Sequence, residues 1–205
     1  MFDLIIRGAT IVDGTGTPGR PGDIGVRGGH IASVKYRDGD GDGDGDSGGG
    51  DEAHEVLDAT GLVVCPGFVD PHTHYDAQLF WDPLATPSNV HGITSIVAGN
   101  CGFTLAPLHA EDADYLRRMM AKVEGMPLAA LEQGVDWQWE TFGEFLDRLD
   151  GRIGVNAGFM VGHCALRRYV MGADAIGNEA TPAQLDEMVQ LLRESIEAGG
   201  LGLST

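Results

Sequence analysis

The chain has 205 residues, enough for one well-packed core or for a small domain joined to part of a larger one. Apolar residues make up 42% and charged residues 21%, the balance of a globular rather than a disordered protein. A net charge of -18 with no basic stripe argues against nucleic acid or an anionic membrane surface as a partner.

The N-terminal residues Met1 to Arg7 are too short and too acidic for a signal peptide, and no apolar run approaches membrane-spanning length. A cytoplasmic location is the expectation. Leu4-Ile5-Ile6 and Thr10-Ile11-Val12 read as strands, and Asp23 to Arg27 alternates apolar with polar residues before Gly28-Gly29. That glycine pair predicts a hairpin turn, with His30 to Val34 returning. Residues 1–64 are therefore expected to form a small antiparallel β unit, a sheet or sandwich. Asp38 to Gly50 alternates aspartate with glycine. Asp40, Asp42, Asp44 and Gly45 fit the first half of an EF-hand calcium loop, but no amphipathic helix enters it and Ser47 replaces the usual apolar residue. An acidic insertion, extended by its own repulsion, is the preferred reading.

From residue 65 the pattern changes. Ile93 to Gly99 is β-branched and apolar on both faces, as in a buried parallel strand. Helical composition follows over 112–124 and 127–133. Thr141-x-x-Glu144 is a capping box before Phe142, Phe145, Leu146 and Leu149, which share one helix face. Trp137 and Trp139 are expected to bury against that face. Val155 to Val161 is a further strand, Thr181 to Gln184 opens another helix, and Leu201 to Thr205 begins one more strand. Alternating strands and helices predict βα units on a parallel sheet, so the fold class is α/β, with a small β domain preceding the first part of a (β/α)8 barrel over 65–205.

The chemistry concentrates at strand ends. In Asp70-Pro71-His72-Thr73-His74 the two histidines are one residue apart, so in extended backbone both imidazoles face one side and Thr73 the other. Cys101 follows the strand ending at Gly99, and His163 follows the strand ending at Val161. In a parallel barrel these ends share one face, and imidazole with thiolate favours zinc over magnesium or calcium. His163 is read as a substrate contact or as a support for the ligands. Cys65 and Cys164 are read as inert buried thiols. Three widely spaced cysteines form no disulfide framework and suit a reducing compartment.

The opening Asp3 to Gly14 and the element Pro66 to His74 resemble the amidohydrolase superfamily. Gly92 to Gly102, Trp137-x-Trp139-Glu140-Thr141-Phe142 and Val161 to Arg167 resemble its N-acyl-D-amino-acid deacylase branch. The resemblance implies a small β-sandwich, a distorted (β/α)8 barrel and one or two zinc ions at its C-terminal mouth. It implies His72, His74 and Cys101 as metal ligands, Cys101 replacing the carboxylated lysine of many relatives. Lys122, in a predicted helix, is the sole lysine after Lys35, so none stands at a strand end. The implied reaction is zinc-assisted hydrolysis of the amide bond of an N-acyl-D-amino acid, a small-molecule substrate. The general acid/base aspartate, two more histidine ligands and the substrate-binding arginine and tyrosine of the family would all lie beyond Thr205. An inactive N-terminal fragment is therefore expected. A cyclic-amide hydrolase of the hydantoinase or dihydroorotase type and a catalytically dead barrel-like binding protein are the alternatives.

Overall fold

The structure, a computed structural model, describes residues 1–37 and 52–205. The Asp-Gly segment and its calcium reading lie outside the described residues. The chain divides into two compact units, Met1–Pro66 and Gly67–Thr205.

In the first unit, β1 (Phe2–Ile11), β2 (Arg20–Arg27), β3 (His30–Tyr36), β4 (Ala53–Asp58) and β5 (Val63–Val64) form one mixed sheet. Its order is β3-β2-β1-β4, with β5 also pairing to β1. The β2–β3 connection is the expected Gly28-Gly29 turn, and both glycines have positive φ (59° and 76°), as a tight hairpin of this hand requires. Period-two alternation puts Ile5, Ala9 and Ile11 of β1 inside, where Ala9 and Ile11 join Ile24 and Ala59 in a small core. The wholly antiparallel expectation is corrected, because β4 and β5 run parallel to β1.

The second unit is built on parallel strands. β6 (Phe68–Asp70), β7 (Ile93–Ala98) and β8 (Asn156–Phe159) lie side by side in that order. β9 (Val161–Gly162) continues β8 after Met160 and pairs with β10 (Leu203–Ser204). Successive parallel strands need crossovers, and helices supply them. α1 (Ala113–Val123), α2 (Leu128–Gly134) and α3 (Phe142–Leu149) fall between β7 and β8. α4 (His163–Met171) and α5 (Pro182–Glu197) fall between β9 and β10.

Local signals set the boundaries of α3 and α5. Thr141 accepts from Glu144 N while the Glu144 carboxylate takes the backbone N–H of Thr141, and Thr181 with Gln184 repeats the arrangement. The buried face of α3 presents Phe142, Phe145 and Leu149 to the core. Phe145 meets Phe159 edge-on at 5.1 Å and Trp139 at 5.5 Å. Trp137 and Trp139 are buried as expected, their indole N–H groups donating to the carbonyls of Leu131 and Leu105. One expectation fails in part. Ile96 and Ala98 of β7 are buried, but Thr94 is exposed, and Phe68 and Val69 of β6 are about three-fifths exposed. Among the described residues, that stretch of sheet is covered on one face only.

Candidate metal centre

β6 ends at Asp70, whose Oδ1 accepts the backbone N–H of His72 at 3.1 Å and turns the chain past Pro71. Beyond the bend at Pro71 and His72, Thr73 ties back to β7. Its N–H and its hydroxyl both donate to the carbonyl of Val97, each at 2.9 Å, and its side chain is buried. Thr73 is buried against β7, while His72 and His74 on either side of it both bring their rings to Cys101.

β7 ends three residues before Cys101, in a turn held from several sides. Asp76 Oδ2 accepts from Gly99 N, and Ser204 of β10 donates to Gly99 O and accepts from Gly102 N. Asn100 Nδ2 donates to Thr73 O at 3.2 Å and to Val97 O at 3.0 Å. Gly102 O accepts from Cys164 N. Within this clamp Cys101 adopts φ of 55°, a left-handed conformation that costs a side-chain-bearing residue about 1–3 kcal/mol and persists only where the surroundings impose it.

The result is convergence. Cys101 Sγ lies 3.4 Å from His72 Nε2 and 3.9 Å from His74 Nε2, and the three atoms fall within 4.8 Å of one another. Tetrahedral zinc, with Zn–S near 2.3 Å and Zn–N near 2.0 Å, sets its donor atoms about 3.3–3.6 Å apart. The two Sγ–Nε2 separations lie within about half an ångström of that spacing, and the imidazole nitrogens, up to 4.8 Å apart, would close by as much as about 1.5 Å on an ion. Among the described residues, no other trio of His, Cys, Asp or Glu brings its ligating atoms together in this way.

Two acids stand behind His74. Glu124, the residue that caps the C-terminus of α1, brings Oε1 to 3.3 Å from His74 Nδ1. That approach is off the line of a straight hydrogen bond, so the buried Nδ1 remains without one. Asp76 is 1% exposed, and burial pushes its carboxyl up to about 7 against the stabilising Gly99 N–H, with the nearby Glu124 charge adding to the rise.

His163 opens α4 and is exposed, outside the convergent trio. Cys164 is half-buried, and desolvation raises its thiol. Cys65 is exposed, which corrects its reading as a buried thiol: it sits in the irregular stretch between β5 and β6. Glu124, Asp76 and Ser204 carry no motif, and sequence pattern does not single them out, whereas Thr73 faces away from the imidazoles as its place between them predicts. Glu124 has one signal, a carboxylate at a helix C-terminus, where the helix dipole disfavours negative charge. Arg168 serves the scaffold: its guanidinium pairs with the buried Asp112 and lies over the Tyr115 ring.

Two imidazoles and one thiolate, gathered just past the C-terminal ends of adjacent parallel strands, form a donor set of the kind that suits a transition metal. Residues 55–205 match the amidohydrolase family, and the chain belongs to that family. It is 39% identical to a D-aminoacylase of Alcaligenes xylosoxydans xylosoxydans over all of this chain and 37% of the relative. A solved D-aminoacylase, described with a binuclear metal centre, superposes with a TM-score of 0.77 at 36% identity, covering 100% of this chain and 38% of that one. N-acyl-D-glutamate deacylase from Bordetella bronchiseptica, solved with zinc and a phosphonate mimic of the tetrahedral intermediate, gives 0.72 at 30% identity with the same coverage. The chain thus spans a little over a third of the length of these relatives.

Proposed function

We propose that the protein carrying these residues hydrolyses the amide bond of N-acyl-D-amino acids with the help of one or two zinc ions. In this reading unit 1 belongs to a small β-sandwich and unit 2 to a (β/α)8 barrel. The observation that carries it is the approach of Cys101 Sγ to His72 Nε2 and His74 Nε2 at one end of β6 and β7. Likeness to D-aminoacylase supports the substrate class.

When bound, the metal polarises the scissile carbonyl and lowers the pKa of water at the site. The protein's own contribution is preorganisation. Thr73 and Asn100 lock the histidine-bearing segment to β7, and Asp76 and Ser204 lock the cysteine turn to its neighbours. His72, His74 and Cys101 would hold the ion. Likeness over the whole chain to a D-aminoacylase supports linear over cyclic amides.

The test uses the intact gene product. Zinc content is measured by mass spectrometry, and amine release from a panel of N-acetyl-D- and N-acetyl-L-amino acids and from hydantoin is followed. Stoichiometric zinc that is lost in Cys101→Ala, with turnover confined to D-substrates, is expected. Wild-type protein that takes up no zinc, or that opens hydantoin in preference, would overturn the reading.

A further inference from the structure

We infer that Glu124 is a positioning residue for the metal centre. Its carboxylate accepts a hydrogen bond from the Nδ1–H of His74 and so fixes the tautomer that presents Nε2 to the ion. This rests on the metal-centre reading given above and extends it to a residue outside the ligand set.

Three observations converge on Glu124. The first is its place. Glu124 ends α1 at a position where the helix dipole opposes a negative charge, so helix formation does not explain it. The side chain is also only 12% exposed, which is costly for a carboxylate without a partner. Finally, what it faces is the one polar atom of His74 turned away from Cys101: Nδ1 is buried, lacks a hydrogen bond and lies 3.3 Å from Glu124 Oε1. A rotation of the ring or of the carboxylate turns that approach into a direct bond. The buried imidazole nitrogen then gains the acceptor it lacks.

The chemistry of a ligating imidazole asks for this partner. With Nε2 directed at a cation, the proton must reside on Nδ1, and an acceptor there both orients the ring and raises the basicity of Nε2. His72 has no such acid within reach on its far side among the contacts of the described residues, so the effect is specific to one ligand. His74 Nε2 stands a few tenths of an ångström farther from Cys101 Sγ than His72 Nε2 does. That gap is in keeping with a ring that moves inward as Nδ1 and the carboxylate engage.

The experiment measures zinc affinity of the intact protein by competition with a chromophoric chelator, for wild type, Glu124→Gln and Glu124→Ala. Removing such a partner weakens metal binding about 10-fold or more, which is the loss expected for Glu124→Ala. Glu124→Gln keeps an amide oxygen able to accept from Nδ1 but brings no charge, so its affinity should fall between the other two. Nitrogen-15 NMR of the metal-free protein supplies a second readout, with His74 as the Nδ1–H tautomer in wild type and a tautomer mixture in Glu124→Ala. Should Glu124→Ala fail to fold, Glu124→Gln and the wild-type tautomer decide the matter. Equal zinc affinity in wild type and Glu124→Gln together with an Nε2–H tautomer in wild type would overturn the inference. Failure of wild type itself to bind zinc would instead sink the metal-centre reading.

Discussion

Cys101 Sγ stands 3.4 Å from His72 Nε2 although 29 residues separate them in the chain. Neighbouring parallel strands ending at one level produce this closeness, and it makes the thiol a reporter on the metal. Alkylation at pH 8 should modify the exposed Cys65 first in zinc-loaded protein, leave Cys101 protected, and release Cys101 once a chelator is added. Cys164 should react last. Burial raises its thiol pKa, so its thiolate appears only at higher pH than for an exposed cysteine. Peptide mapping by mass spectrometry reads all three. Equal labelling of Cys101 with and without zinc would count against ligation.

Asn100 links the two ligand-bearing segments. In Asn100→Ala the carbonyl of Thr73 loses its Nδ2 donor, while Val97 O keeps the N–H and hydroxyl of Thr73. A loss of about 1–3 kcal/mol, nearer the lower figure, is expected from urea unfolding. Asn100→Asp should cost more, since it turns an acceptor toward two carbonyl oxygens. An unfolding midpoint unchanged in both variants would show that the link is unimportant.

Gly99 is irreplaceable on two counts. Its φ is +78°, and an added Cβ would stand 2.4 Å from the backbone oxygen of Met160, the residue between β8 and β9. Gly99→Ala should therefore lose at least about 1–3 kcal/mol through backbone strain alone. The accompanying shift of Met160 should be visible as faster amide exchange at its N–H, which donates to Ala98 O. Wild-type exchange and stability would contradict this.

Arg168 should matter for stability rather than chemistry. Truncation in Arg168→Ala leaves the Asp112 carboxylate buried without its guanidinium, at a cost of about 3 kcal/mol in thermal or urea unfolding. Pairing it with Asp112→Leu should recover much of that loss, because the remaining charge is gone. No recovery in the double variant would mean that the loss comes from the packing of Arg168 on Tyr115.

What the sequence makes visible follows the range of the interactions. Capping boxes span four residues, and both predicted ones start helices. The histidine pair and Cys101 are visible as strand-end residues. α4 escapes sequence reading for identifiable reasons. It begins directly after β9, its N-cap Gly162 offers no side-chain bond, and Arg168 turns inward to Asp112, which blurs the apolar stripe. Parallel pairing of β1 with β4 joins segments some fifty residues apart in the chain, which no local pattern announces. Glu124 and Asp76 gain their meaning only from what folds around them.

Ser204 gives the centre a long-range tie. Its hydroxyl grips Gly99 and Gly102 across 105 and 102 residues of chain, whereas the histidine segment is fastened to β7 across only 24. Closing a longer loop costs more entropy and delays the contact. The Cys101 turn is also tied to the histidine segment across 23 and 27 residues, through Asp76 and Asn100, so Ser204 adds a long-range fastening to contacts that close much shorter loops.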